Sequence, residues 1–169
     1  MPETVEQYVQ RINSKVAGLD PIKVQASTAK KLAKLIQGKS AAQLRKRPAP
    51  TKWSASEILA HLADTEIVQG WRMRSVLAVP GTPIQAYDQD AWVVSSHYDQ
   101  RDARKSLEQF RVLRQANLDL LKSLTPQQWK LHGMHAERGV QSIEQMVTLI
   151  AGHDINHLEQ VAALLSSRK

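Results

Sequence analysis

Apolar residues recur at helical spacing along nearly the whole chain, and no alternating run of useful strand length interrupts them. A sequence patterned this way must bury helix against helix. Two stretches show it best. Ser54 with Glu57 forms a capping box that opens a helix over about 55–79, which Pro80-Gly81 closes. Ser142 with Gln145 forms a second box, opening a last helix that runs to about Ser166. The first of these is apolar around much of its circumference (Ile58, Leu59, Leu62, Ile67, Val68, Met73, Leu77), which predicts burial on more than one side.

Two further long helices read clearly. Asp20-Pro21 supplies N-cap and N1 for a helix to about Gln37, stopped by Gly38. Another spans about Arg101 to Leu124, with Leu107, Phe110, Leu113, Leu118, Leu120 and Leu121 as core positions. Arg114 and Asn117 fall inside that same arc, so they face either a polar pocket or solvent at a helix end. Ahead of the four lies a helix over about 3–17, with Val5, Tyr8, Val9, Ile12 and Val16 on one face. Residues 40–52, 80–90 and 131–141 read as connectors; TPQQW reads as a single turn and 92–98 as a short helix. The chain is therefore expected to be all-α: a four-helix bundle over 20–169 with short extra helices, preceded by a helical extension over 1–19.

Composition narrows the function classes. There are no cysteines among the 169 residues, which excludes disulfides, thiolate ligands and a cysteine nucleophile. The N-terminus has no apolar core of a signal peptide and no window is long enough to span a bilayer, so a cytoplasmic location is expected. The net charge of +7 is concentrated: residues 21–56 contain no acidic side chain. Such a block can bind nucleic acid, but aromatics to stack bases are missing from it, and a solvated helix face is the preferred reading.

The chemistry sits in Ala151–Gln160, AGHDINHLEQ. His153 and His157, four residues apart, project from one face about 40° from each other, among Met146, Ile150, Val161 and Leu164. Two inward imidazoles at this spacing form the geometry of a helix-borne metal site, and a third ligand is needed. His61, flanked by Ile58, Leu62 and Thr65 on its own helix, is the inward histidine able to supply it. Three nitrogens leave positions open, which separates a catalytic metal from a structural one. Asp64 and Asp154 lie close by in sequence, each either a group that orients a ligand or acts as a base, or a plain helix residue.

KWSASEILAHLADTE at Lys52–Glu66, YDQDAW at Tyr87–Trp92 and GHDINHLEQ at Gly152–Gln160 together resemble the signature stretches of the DinB/YfiT superfamily, in order and separation. The resemblance covers the chain from about Asp20 onward. It implies up-down-down-up connectivity, a homodimer, and one divalent metal, nickel or zinc, held by His61, His153 and His157. YDQDAW and MHAERG (Met134–Gly139) are similar to segments bordering the site in YfiT-like members, making Asp90, Trp92 and His135 pocket candidates beside their ordinary packing readings.

Function in that superfamily divides between hydrolases and transferases or isomerases that use a low-molecular-weight thiol such as bacillithiol or mycothiol. The shared logic is an open metal position that makes a nucleophile at neutral pH. A small-molecule substrate is implied, and an anionic thiol would suit Arg72 or Arg74. The alternative is a binding or stress-response module that holds metal without turnover.

Overall fold

The computed structural model describes residues 3–166. Residues 1–2 and 167–169, the outer ends of the two expected segments, lie outside them. Helix α1 (Val5–Ser14) opens on a capping box of Thr4 and Gln7, and α2 (Pro21–Ile36) on the Asp20 carboxylate, which accepts from the N–H groups of Ile22 and Lys23. A short α3 (Ala41–Arg45) interrupts the proline-rich connector before α4 (Ala55–Ala78). Then come α5 (Gln89–Ser95), a 3-10 turn at Tyr98–Gln100, α6 (Ala103–Lys122), a one-turn α7 (Pro126–Trp129) and α8 (Ile143–Ser166). Both capping boxes form: Ser54 with Glu57, and Ser142 with Gln145.

Side-chain pairs fix the directions of the four long helices. Gln25, Thr28 and then Lys39 meet Val147, Asp154 and Leu165 in ascending order, so α2 and α8 run parallel. Asp64, Glu66 and Arg74 likewise meet Arg101, Arg114 and Asn117, so α4 and α6 also run parallel. Helices α4 and α8 oppose each other: Leu59 and Ala63 pack with Val161, whereas Met73 and Val76 pack with Ile143 and Met146. This is the up-down-down-up bundle.

Parallel α4 and α6 cannot be joined by a tight turn. The chain must return along the whole of α4, about 36 Å for its 24 residues. Residues 79–102 do so in contact with it: Gln85 accepts from Arg72, Tyr87 meets Thr65, and Tyr98 donates to Asp64. The topology therefore lays a second layer over one face of α4.

The bundle has an apolar cluster at each end, one around Leu32, Leu59, Leu62, Phe110 and Val161, the other around Met73, Val76, Leu121, Ile143 and Met146. Between them lies a polar layer. Arg114 and Asn117 are both buried there, not at a helix end. Arg114 donates to Asp154 at 2.5 and 3.0 Å, to Glu66 at 2.7 Å and to the Gln25 carbonyl at 3.1 Å. Asn117 and Thr28 donate to the remaining carboxylate lone pairs. Burial pulls the guanidinium pKa down, and Asp154 and Glu66 outweigh it, so Arg114 stays charged.

Two expectations change in detail. Ile67 is exposed, on the outer side of α4. The loops at 80–90 and 131–141 contain a three-stranded sheet: β1 (Pro83–Ile84), β2 (His132–His135) and β3 (Gly139–Ser142), with β1 parallel and β3 antiparallel to β2. Elements of two to four residues are too short to show a period in sequence. Helix α1 packs on α8 where Gly152 removes a side chain that would collide with the Ile12 carbonyl. As for the basic block, Lys30, Lys31 and Lys34 lie exposed on α2, and Arg47 pairs with Glu57.

Candidate metal centre

His61 near the start of α4 meets His153 and His157 in the middle of α8 because the two helices are antiparallel neighbours. All three are buried. The Nε2 of His153 lies 3.0 Å from the Nε2 of His61 and 3.0 Å from that of His157. Each residue offers a ligand atom within 4.8 Å of the others. Three imidazoles bound to one ion at about 2.0–2.1 Å would hold their nitrogens about 2.9–3.4 Å apart, so the residues present fit a metal.

Protonation agrees with that geometry. Burial and then the neighbouring His157 push His61 down to about 3, burial takes His157 down to about 4, and His153 falls well below the usual range for the same reason. At neutral pH the cluster is uncharged and its lone pairs are available. Gln160 Oε1 lies 2.8 Å from His157 Nδ1, which puts that ring's proton on Nδ1 and leaves Nε2 as an acceptor. The single proton of neutral His153 cannot then satisfy both neighbouring nitrogens by hydrogen bonding. Trp53 packs against His61 with ring centroids 5.0 Å apart.

A cavity of about 400 Å³ reaches His153. Thr65 and Gln69 line it from α4, Tyr87 from the return layer, Tyr8 from α1, and His135 and Arg138 from the small sheet and its turn. Arg72, 6% exposed, stands between this cavity and a neighbouring groove of about 620 Å³ that no histidine lines.

The other expected site residues divide. His135 is buried and borders the cavity, and Arg72 does too. Trp92 packs against Tyr87 in a tilted pair, centroids 4.7 Å apart, and lines the outer groove, which no histidine of the triad borders. Asp90 is exposed in the first turn of α5. Arg74 donates to Asn117 and the Gly70 carbonyl and borders neither space. Among the described residues neither Asp64 nor Asp154 hydrogen-bonds a histidine, and Asp154 acts on His157 only through space. Asp64 accepts from Tyr98 and Arg101, and Asp154 from Arg114 and Thr28. Gln160, Tyr8, Tyr87 and Arg138 were not singled out from the sequence. Gln160 lies one turn beyond His157 on the same helix, while Tyr87 and Arg138 fall within the YDQDAW and MHAERG segments that the resemblance places beside the site.

The model of the DinB superfamily matches residues 26–161, four-fifths of the chain. The chain belongs to the DinB superfamily. Among its relatives, this DinB-superfamily chain is 24% identical over 127 residues to a Halalkalibacterium halodurans protein provisionally named a metal-dependent hydrolase, covering 75% of this chain and 74% of that one. An Oceanobacillus iheyensis protein with the same provisional name is 25% identical over 112 residues, 66% of this chain and 64% of its own length. In structure the chain is similar to YfiT from Bacillus subtilis, described as a probable metal-dependent hydrolase with an unusual four-helix bundle topology. The TM-score is 0.78 at 24% identity, over 95% of this chain and 87% of that one. This likeness establishes the shared fold.

Proposed function

We propose that the chain is a metal-dependent enzyme in which His61, His153 and His157 hold one divalent ion, nickel or zinc, beside a small-molecule cavity. The observation that carries this reading is the convergence of three buried, neutral imidazoles, with the Nε2 of His153 3.0 Å from that of His61 and of His157, at a cavity that reaches His153. An ion held there supplies Lewis acidity and a nucleophile at neutral pH. The protein's own part is to hold the donors rigid: His157 through Gln160, and His61 against Trp53. Thr65, 3.5 Å from both His61 Nε2 and the Tyr87 hydroxyl, brings polar groups to the rim, where a reacting group would lie.

Hydrolysis is the first reaction class, supported by the names of the relatives. Transfer of a low-molecular-weight thiol uses the same open position and is the second. A cavity of this size favours turnover over metal storage, since storage needs no room for a substrate. Homodimer assembly and a cytoplasmic location are carried with this proposal; among the described residues no helix is long and apolar enough to cross a membrane.

The test is metal content by elemental mass spectrometry of the untagged protein and of His61→Ala, His153→Ala and His157→Ala. About one ion per chain, lost in each variant, supports the centre. Full retention in all three overturns it. An ester, amide and thiol-acceptor panel on the loaded protein then separates hydrolysis from transfer.

A further inference from the structure

The same cavity holds two guanidinium groups, Arg72 and Arg138, that form no ion pair among the described residues; Arg72 also lies 5.8 Å from the centroid of the Tyr87 ring. Arg72 is 6% exposed, and its guanidinium donates to one backbone carbonyl, that of Gln85, at 2.5 Å. Arg138, in the turn between β2 and β3, has a buried Nε with no hydrogen-bond partner. The carboxylates at the cavity are engaged elsewhere: Glu3 pairs with Arg11, and Asp88 caps α5 through the N–H groups of Asp90 and Ala91. Glu137 acts on both arginines through space and bonds neither.

His135 sharpens the imbalance. Its Nδ1 accepts from the backbone N–H groups of Glu137 at 3.1 Å and Arg138 at 3.4 Å, so a neutral ring must keep its proton on Nε2. That Nε2 lies 2.6 Å from Arg138 Nη2, donor against donor. An oxygen anion set against both would part them and satisfy both. Burial first and the neighbouring Arg138 second pull Arg72 down to about 10, as expected where two cations share one cavity.

We propose that Arg72 and Arg138, with the His135 Nε2–H, bind an anionic oxygen group, carboxylate or phosphate, and that the substrate of the metal centre carries one. The substrate clause rests on the function proposed above; the anion site itself does not. A guanidinium fork suits both groups, and its planar donors aim the bound molecule toward His153 on the same cavity wall.

The test is calorimetric titration of chelator-stripped protein, where no metal can take the anion, with inorganic phosphate, with succinate, and with neutral succinamide. Phosphate or succinate is expected to bind and succinamide not, and whichever anion binds identifies the group. Arg138→Gln should weaken that binding about tenfold or more, because charge-assisted hydrogen bonds are lost, with the melting temperature showing that the variant is folded. Arg45→Gln, an exposed arginine elsewhere, should leave it unchanged. Arg138→Lys, which keeps the charge, should bind more tightly than Arg138→Gln. Absence of binding by either anion, or equal binding by wild type and Arg138→Gln, overturns the proposal. Metal uptake without anion binding sinks the anion site alone, and anion binding by a protein that takes up no metal sinks the metal centre alone.

Discussion

The amide oxygen of Gln160 sits 2.8 Å from Nδ1 of His157, one turn further along α8, and so dictates which nitrogen of that ring faces His153. Replacing the partner that fixes a ligating ring's tautomer typically costs 10–100-fold in metal affinity. Gln160→Leu is therefore expected to weaken divalent-metal binding by about that factor while leaving the helical circular-dichroism spectrum intact. A competition titration against a chromophoric chelator measures it, and unchanged affinity would remove Gln160 from the account.

Arg114 holds Glu66 and Asp154 together in the middle of the bundle, with all three side chains buried. Arg114→Leu would strand two carboxylates there, and breaking a buried pair costs about 3–5 kcal/mol. Urea unfolding should show a loss of that order. Adding Asp154→Asn to Arg114→Leu should recover part of it, because one of the stranded charges disappears.

Acid should destabilise the metal-free protein through the triad. The folded pKa values of His61 and His157, about 3 and about 4, lie below the ordinary histidine value of 6.5. Below pH 6.5 the unfolded chain therefore binds protons that the folded chain refuses. The stability present above pH 6.5 is lost as pH falls toward about 4 and then 3. Melting temperatures of chelated protein should fall across that window, and saturating metal should raise the curve at each pH above it, since it binds the unprotonated rings. A flat profile from pH 6.5 to 4 would contradict the buried, neutral triad.

Gly152 lets α1 approach α8 closely enough that a Cβ there would overlap the backbone of Ile12. Gly152→Ala should push α1 outward at a cost of about 1–3 kcal/mol, the usual range for overpacking. Because α1 also brings Tyr8 to the cavity, hydrogen exchange should quicken across Val5–Ser14 before it does in α4. Unaltered protection there would show that the contact can yield freely.

The helices were legible because their signals are local. Asp20-Pro21, Ser54 with Glu57 and Ser142 with Gln145 are caps built within four residues, and the apolar positions between them repeat at the period of one helix. His61, His153 and His157 could be placed on inward faces by the same reasoning, since a helix fixes the direction of each side chain relative to its neighbours in sequence. The strands escaped notice for the complementary reason: Pro83–Ile84 and His132–His135 pair across about fifty residues and carry too few positions to show alternation.

Asp64 and Asp154 illustrate what local reasoning omits. Each lies within a turn of a histidine in sequence, yet each is taken by an arginine, Asp64 by Arg101 just ahead of α6 and Asp154 by Arg114 of α6, which only the bundle brings near. The cavity walls are of the same kind, for Tyr8 comes from α1, Tyr87 from the return layer, and His135 with Arg138 from the small hairpin. By itself the sequence determined the helices, their buried faces and the inward histidines, because those depend on spacing along one element. Residue spacing could not show that α4 lies antiparallel to α8 and parallel to α6, which the resemblance implied and the tertiary structure decided. The tertiary structure thereby decided that the triad closes, that a return layer covers α4, and that Arg72 and Arg138 share one cavity, because such contacts depend on which surfaces pack together.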